Sequence, residues 1–269
     1  MDTASDNGSE PRIFLSYADN FPEHVVLFIH GYPLSSQMWV PQLEGLAGTV
    51  WGIAPDLRGC GESGTPGGAV TMTDYAEDCV ALLDELGLED PVVVCGLSMG
   101  GYVALELFRL HPDRVSALVL AATKAGADTD EGKAGRDKNA QIARDDGVEA
   151  IASAILPKMF APQTVADDPE LVAEVREIMT SGSVEGVVGA LEAMRDRIDS
   201  TPTLAKIGVP TLVLHGADDQ LMPPAEGEKL KAGIPGAELV LIEGAGHLLN
   251  LEQPDLFNDA LLDFLSTLP

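Results

Sequence analysis

Short apolar runs recur along the chain, and each ends near a glycine, a proline, a histidine or an aspartate. The run Pro91–Leu97 is rich in β-branched residues and carries no charge, as expected for a strand buried on both faces of a sheet. Six such runs are predicted as strands: Val25–His30, Val50–Pro55, Pro91–Leu97, Val115–Ala122, Thr211–Gly216 and Glu238–Ile242.

Segments with helical spacing of apolar residues lie between these runs. In Thr73–Leu86 the apolar positions recur every three or four residues, and Gly87 follows as a C-terminal stop. The same spacing predicts helices over Gly100–Leu110, Ala225–Ala232 and Pro254–Ser266. The alternation predicts an α/β fold, with a mostly parallel central sheet flanked by helices. Ligands of such sheets bind beyond the carboxyl ends of the strands.

The alternation breaks between Lys124 and Thr203, where no run has the pattern of a strand. Helical spacing there predicts four helices, at 130–145, 147–155, 168–180 and 184–198. We therefore expect an inserted helical cap. The predicted organisation is a flexible tail at 1–12, the first part of the core at 13–123, the cap at 124–203 and the second part of the core at 204–269.

The formal net charge of −27 arises from 16 basic and 43 acidic residues. Such a surface repels phosphate backbones and anionic lipids, which argues against nucleic-acid and membrane partners. The polar N-terminus has no signal-peptide pattern, so we expect a cytoplasmic protein. We expect no metal and no cofactor, because no paired His/Cys spacing or phosphate-binding glycine loop is present. The oligomeric state stays open.

The sequence Gly96-Leu97-Ser98-Met99-Gly100 joins a predicted buried strand to a predicted helix. A sharp strand-to-helix turn lifts a serine hydroxyl clear of the backbone, and it needs small residues on either side because neighbouring backbone lies very close. The N-terminus of the helix adds partial positive charge and free N–H groups. The pattern therefore predicts Ser98 as a nucleophile.

A serine hydroxyl needs a neighbouring base before it can attack a carbonyl group. Of the five histidines, His247 lies in a glycine-rich loop after the last predicted strand, and that loop can turn the imidazole toward Ser98. His215 is the second choice. The base in turn needs an orienting carboxylate, which either Asp218 or Asp219 can supply.

Two N–H donors are needed to stabilise the oxyanion that forms during acyl transfer. One is expected from the backbone of Met99, the residue that follows the nucleophile. The other is expected from the turn His30–Pro33, where the N–H of Tyr32 is the natural donor. The alternative for this tetrapeptide is an ordinary turn.

Taken together, these motifs resemble the α/β-hydrolase superfamily, and the resemblance extends from residue 12 to residue 267. It is carried by HGYP at 30–33, DLRGCGES at 56–63, GLSMGG at 96–101, GADDQLMP at 216–223 and GAGH at 244–247. The resemblance implies the order serine, acid, histidine. It also implies Asp219 as the acid, since the acid of similar proteins is the third residue after the glycine and lies four before the proline.

Within the superfamily the chain is similar to small esterases and enol-lactone hydrolases that carry a helical cap. A serine nucleophile separates it from the haloalkane dehalogenases and epoxide hydrolases of the same fold, which use aspartate. The resemblance further implies that the DLRGCGES loop is structural, with Asp56, Arg58 and Ser63 holding the core together.

The predicted mouth of the pocket is mostly apolar, with Leu34, Met222 and Leu248, and suits an uncharged acyl group. Lys124 begins a group of five cations that ends at Arg144, in a chain poor in cations. One interpretation is a basic lip that attracts a carboxylate-bearing substrate. The other is a solvated helix whose cations pair with neighbouring acids.

The predicted function is that of a carboxylesterase, a serine-dependent hydrolase that acts through an acyl-enzyme on small, largely apolar esters. A lactone of the enol-lactone type is the alternative substrate. A cofactor-free perhydrolase related to haloperoxidases is a further alternative, because such proteins share the GxSMGG motif. From a different class, a non-catalytic ligand receptor of this fold would keep these residues without turnover, and failure to react with a fluorophosphonate would identify it.

Overall fold

The computed structural model describes residues 24–65 and 68–269 in full and the backbone of residues 13–16. The predicted tail at 1–12 lies outside the described residues. The strands are β1 (Ile13–Ser16), β2 (His24–Ile29), β3 (Val50–Pro55), β4 (Val92–Leu97), β5 (Val115–Ala121), β6 (Thr211–Gly216) and β7 (Glu238–Ile242).

These strands form one sheet in the order β1-β3-β2-β4-β5-β6-β7. β1 pairs antiparallel to β3, and the other five pairings are parallel. The predicted mostly parallel sheet is therefore confirmed. Because Ile29 pairs with Gly96 and Leu97 with Ala121, the carboxyl ends of β2, β4 and β5 meet at the same edge.

Helices cover both faces of the sheet. In the described residues they are α1 (Val40–Gly45), α2 (Met72–Glu85), α3 (Met99–Leu110), α4 (Asp130–Asp146), α5 (Val148–Met159), α6 (Pro162–Asp167), α7 (Pro169–Thr180), α8 (Val184–Asp196), α9 (Thr201–Leu204), α10 (Pro224–Gly233), α11 (Leu249–Glu252) and α12 (Pro254–Leu265). None of these described helices combines the length and apolarity required to cross a bilayer.

Helix boundaries differ from the predictions where local chemistry outweighs periodicity. α2 begins at Met72 because Thr71 and Asp74 form a reciprocal capping box. α5 continues past residue 155 to Met159, with Pro157 inside its last turn, where the missing N–H removes one bond only. α8 ends at residue 196 because Arg197 leaves the helical conformation, with ψ of 145°.

Alternate residues of β4 supply the two halves of the core. Val92 and Val94 pack on one face of the sheet, whereas Val93 and Cys95 pack on the other. On the second face Trp39 is fully buried, with its ring 5.1 Å from that of Phe28. Burying a large aromatic side chain stabilises a core by about 3 kcal/mol or more, which fixes the sheet edge against its covering helices.

The helices α4 to α9 form one segment between β5 and β6, here called the helical segment. The residues just before α4 and just after α8 are joined by a buried ion pair, in which Arg197 Nη2 lies 2.9 Å from Asp128 Oδ1. Arg136 donates to the other carboxylate oxygen at 3.0 Å, and Lys124 lies 3.6 Å away. The Arg197 guanidinium also stacks on the ring of Tyr102 in α3, at 4.1 Å. The helical segment is thus fastened to the core at this stem.

Burial alone would raise the pKa of Asp128, but the hydrogen bonds and charges of Arg197 and Arg136 outweigh it and lower the pKa to about 2. Asp128→Asn is expected to lower the unfolding free energy at pH 7 by about 3 kcal/mol, because it leaves the buried guanidinium of Arg197 without its counter-charge.

The stabilisation by Asp128 is present above its unfolded-state pKa of about 3.9 and is lost as the pH falls toward 2, so the difference between the wild type and the Asp128→Asn variant should shrink over that range. Urea denaturation at a series of pH values measures this. Asp146→Asn, at an exposed position, serves as the control and should change the unfolding free energy by less than about 0.5 kcal/mol. A stability difference between wild type and Asp128→Asn that does not depend on pH would contradict the role of the charge.

Candidate active site

The turn between β4 and α3 places Ser98 in an unusual backbone conformation, with φ of 56° and ψ of −110°. A positive φ at a residue other than glycine costs on the order of 1–3 kcal/mol and persists only where surrounding structure enforces it. Here the Ser98 N–H donates to Ala121 O at 2.8 Å, and Thr123 Oγ1 donates to Ser98 O at 2.8 Å. The end of β5 therefore holds the serine backbone from both sides.

Glycines beside Ser98 allow the backbone to pack closely. A Cβ at Gly96 would overlap the carbonyl oxygen of Gly100, and a Cβ at Gly100 would overlap the carbonyl oxygen of Ile29 at the end of β2. Any side chain at these positions would push α3 away from the sheet. The small residues predicted on both sides of Ser98 are required for this reason.

Ser98, His247 and Asp219 form a continuous hydrogen-bond chain. His247 Nε2 lies 2.9 Å from Ser98 Oγ, and His247 Nδ1 lies 2.7 Å from Asp219 Oδ2. An ionised carboxylate only accepts, so Nδ1 carries the proton and Nε2 accepts from the serine hydroxyl. His247 and Asp219 are both buried, whereas Ser98 is partly exposed. An arrangement of this kind can take a proton from the hydroxyl as it attacks.

The loop after β6 selects between the two candidate acids. Asp219 is buried, and its Oδ1 accepts the N–H groups of Leu221 and Met222, each at 2.8 Å, which leaves Oδ2 for His247. Asp218 is exposed, and its backbone N–H donates to Ala245 O at 2.9 Å. The structure thus brings Asp219, and not Asp218, to the imidazole.

The second-choice histidine has a different set of contacts. His215 is fully buried, and its Nε2 donates to Met222 O at 2.8 Å and lies 3.9 Å from Asp219 Oδ2. Burial lowers the pKa of His215, so the ring is neutral near pH 7. Its contacts support the loop that holds Asp219.

The turn His30–Pro33 lies directly against Ser98. A Cβ on Gly31 would stand 3.5 Å from the Cβ of Ser98. His30 fixes this turn, since its Nδ1 donates to Gly31 O at 2.9 Å and its Nε2 accepts the N–H of Leu57 at 3.0 Å. Burial lowers the pKa of His30, which keeps the ring neutral for these two bonds.

The two predicted oxyanion donors have no competing partner. Across residues 24–65 and 68–269, neither the N–H of Tyr32 nor that of Met99 donates to a protein acceptor. Met99 begins α3, so its N–H belongs to the first turn, where intrahelical acceptors are lacking. Both groups are therefore free to donate to a ligand.

The loop of residues 56–63 holds the sheet edge together. Asp56 Oδ1 accepts both the N–H and the hydroxyl of Ser36, at 2.8 and 2.6 Å, and Ser63 Oγ donates to Asp56 O. Arg58 pairs with Asp78 of α2. These contacts place the loop in the core.

Three of the residues expected at the pocket are buried next to the hydrogen-bond chain. Leu34 follows the turn at Tyr32, Met222 donates its N–H to Asp219, and the N–H of Leu248 donates to Met159 O at 3.0 Å. Lys124 instead lies in the ion cluster around Asp128. Its ammonium lies 3.6 Å from that carboxylate, and its side chain is 27% exposed.

Sequence reasoning missed Glu252, whose carboxylate accepts the N–H groups of Gly246 and Ala161 and the hydroxyl of Thr164. No motif marked it, because a single glutamate five residues after His247 has no spacing pattern of its own. In the described residues no group of three or more His, Cys, Asp or Glu side chains is placed to hold a metal ion.

Comparisons with known proteins identify the family of the chain. A family model described as the alpha/beta hydrolase fold matches residues 24–254. The chain belongs to the α/β-hydrolase family. The resemblance inferred from its motifs is thereby confirmed.

Relatives of the chain differ in their named activities. The structure of a thermophilic esterase from Thermogutta terrifontis superposes with a TM-score of 0.92, at 37% identity over 98% of this chain and 96% of that chain. A 3-oxoadipate enol-lactonase of Acinetobacter baylyi is 32% identical over 88% of this chain and 86% of its own length. A non-heme chloroperoxidase of Kitasatospora aureofaciens is 31% identical over 90% and 92%.

Two helical glycines offer a matched test of the close packing behind Ser98. Gly100→Ala should lower the unfolding free energy by about 2 kcal/mol, because the added Cβ overlaps backbone that cannot rotate away. Gly135→Ala, in the interior of α4 with open space around it, should raise it by up to about 1 kcal/mol. Urea denaturation of both variants measures the contrast. Equal stability of the two variants would refute the required approach of α3 to β2.

Proposed function

We propose that this α/β-hydrolase is a serine-dependent carboxylic ester hydrolase acting through an acyl-enzyme on small, largely apolar esters. The observation that carries the proposal is the hydrogen-bond chain from Ser98 Oγ through His247 to Asp219, at 2.9 and 2.7 Å. Such a chain supplies the nucleophile, the base and the orienting carboxylate of acyl transfer. The likeness to a thermophilic esterase supports the choice of substrate class.

In the acylation step Ser98 Oγ attacks the ester carbonyl carbon while His247 Nε2 takes the hydroxyl proton. The buried carboxylate of Asp219 stabilises the imidazolium that results. The N–H groups of Tyr32 and Met99 donate to the oxyanion of the tetrahedral intermediate. The intermediate collapses as His247 returns the proton to the departing alkoxide, so the alcohol leaves and an ester of Ser98 remains.

In the deacylation step a water molecule gives a proton to His247 as it attacks the acyl carbon, and His247 then returns that proton to Ser98 Oγ as the acid is released. The helical segment acts as a cap over this chemistry. Its support is the contact of residues 159–161 with the loops that carry His247 and Asp219, through Leu248 and Gln220. Excluding bulk water strengthens the polar interactions in such a site.

Ser98→Ala should lower kcat/KM for p-nitrophenyl acetate and butyrate by at least about 10⁴-fold, because the nucleophile is removed. Circular dichroism and the Tm should stay those of the folded protein. Ser153→Ala, at an exposed position on α5, is the matched control and should keep wild-type activity. Wild-type turnover by Ser98→Ala, or failure of the wild type to react with a fluorophosphonate, would overturn the proposal.

A carboxylate-bearing lactone is the second candidate substrate. Lys124, Arg136 and Arg197 surround the single carboxylate of Asp128, which leaves local positive charge in a chain of net charge −27. Lys124 directly follows Thr123, whose hydroxyl donates to the Ser98 carbonyl. The relative named 3-oxoadipate enol-lactonase supports this candidate.

A pair of esters that differ in one charge separates the two candidates. If the substrate is a carboxylate-bearing lactone, Lys124→Ala should lower kcat/KM for mono-p-nitrophenyl glutarate by about tenfold and leave kcat/KM for p-nitrophenyl butyrate unchanged. The loss should be smaller in high salt, which screens the attraction. Lys158→Ala, exposed on α5, changes the net charge equally and is the control. Equal losses on both esters would exclude a carboxylate subsite at Lys124.

A further inference from the structure

Three segments meet behind His247: the loop of residues 244–248, the helix α11 and the turn Phe160–Ala161 between α5 and α6. Leu248 is the residue after His247, and its N–H donates to Met159 O at 3.0 Å. A hydrogen bond therefore joins the helical segment directly to the loop that carries the proposed base.

The carboxylate of Glu252 lies at this junction. Its Oε1 accepts the N–H of Gly246 at 2.8 Å. Its Oε2 accepts the N–H of Ala161 at 2.7 Å and the hydroxyl of Thr164 at 2.6 Å. The Glu252 side chain thus joins α11 to the loop of residues 244–248 and to the helical segment. All three of its partners are neutral donors that require an acceptor.

The backbone at Gly246 has no room to move independently of these contacts. A Cβ there would overlap the N of Ala161 and the carbonyl carbon of Phe160. On its other side, a Cβ at Gly216 would overlap the carbonyl oxygen of Gly246. Gly246 is held between the end of β6 and the turn of the helical segment, and His247 is the next residue.

Removing a carboxylate from water costs free energy unless ion pairs or hydrogen bonds compensate for the lost hydration. Burial raises the pKa of Glu252, and the nearby charge of Asp219 raises it further, against the hydrogen bonds from Thr164, Ala161 and Gly246. Among the described residues no lysine, arginine or histidine forms an ion pair with Glu252. The three hydrogen bonds alone hold the group in place.

We propose that Glu252 is a positioning residue, which holds the His247 imidazole in line with Ser98 and Asp219 by tying Gly246 to the turn Phe160–Ala161. The inference rests on the proposed function, because its main readout is the rate of ester hydrolysis. It assigns Glu252 no contact with substrate, so its loss should affect turnover much more than substrate binding.

Glu252→Gln is the main variant, because an amide has nearly the same shape but one of its two ends cannot accept from an N–H. We expect kcat for p-nitrophenyl butyrate to fall by about 10- to 100-fold, as small misplacements of catalytic groups do, with KM changed by less than about threefold. The rate of fluorophosphonate labelling should fall with kcat. Glu243→Gln makes the same charge change at an exposed position before Gly244 and should behave as wild type.

Thr164→Val is the second variant, in case Glu252→Gln fails to fold. It keeps the carboxylate and removes one donor from the helical segment, so kcat should fall by a few fold only. The double variant should be no slower than Glu252→Gln, because both changes act through the same carboxylate.

Unchanged kcat in Glu252→Gln, or a raised KM with kcat intact, would overturn the proposal and leave Glu252 as a fastening of the helical segment alone. If the wild type itself hydrolyses no ester, the proposed function fails, but the positioning role is still measurable. The NMR signal of the His247 Nδ1 proton, assigned with His247→Gln, should shift or broaden in Glu252→Gln and not in Glu243→Gln. An unaltered signal would refute it independently of activity.

Discussion

The close approach of α3 to the end of β2 is the constraint on which the rest of the structure depends. Gly100 lies against the carbonyl oxygen of Ile29, and this contact sets where the helix can begin. Because the helix begins there, Ser98 must adopt a positive φ, and the end of β5 holds it through Ala121. The same approach brings the turn at Gly31 against Ser98, so the N–H of Tyr32, after β2, and the N–H of Met99, after β4, lie at one edge of the sheet.

Three carboxylates near this edge, buried or half-buried, are each supported by several donors. Asp219 accepts two backbone N–H groups with one oxygen and the imidazole with the other. Asp128 is held by cations at the stem of the helical segment, and Glu252 by neutral donors at the opposite contact with the core. Desolvated carboxylates that keep all their hydrogen bonds restrict the surrounding loops to a single arrangement. The helical segment is consequently fastened at two places.

Much of the fold and of the candidate site could be predicted, because parallel strands bury continuous apolar runs and their carboxyl ends meet at one edge. Ser98 and His247 follow from that rule. The choice of Asp219 over Asp218 does not, since it depends on which side chain the turn after β6 directs inward. The four-residue strand β1 and the short helices α1 and α11 are too brief to show a period. The contacts of Glu252 were not predicted, because its three partners are distant in sequence or are backbone groups, and no pattern of side chains reveals them.

The glycines at the sheet edge also determine where this protein can diversify. Gly96, Gly100, Gly216 and Gly246 each face backbone atoms that leave no volume for a methyl group. A change of specificity, in evolution or by design, therefore cannot arise by substitution at these four glycines. The α5 and α7 side chains Met159 and Met179 are buried too, but they pack in a cluster of side chains and lie on the helical segment, which has its own connections to the sheet. Substitutions are therefore expected to accumulate in the helical segment, whereas the backbone around Ser98 and His247 accepts no added side chain at these four glycines.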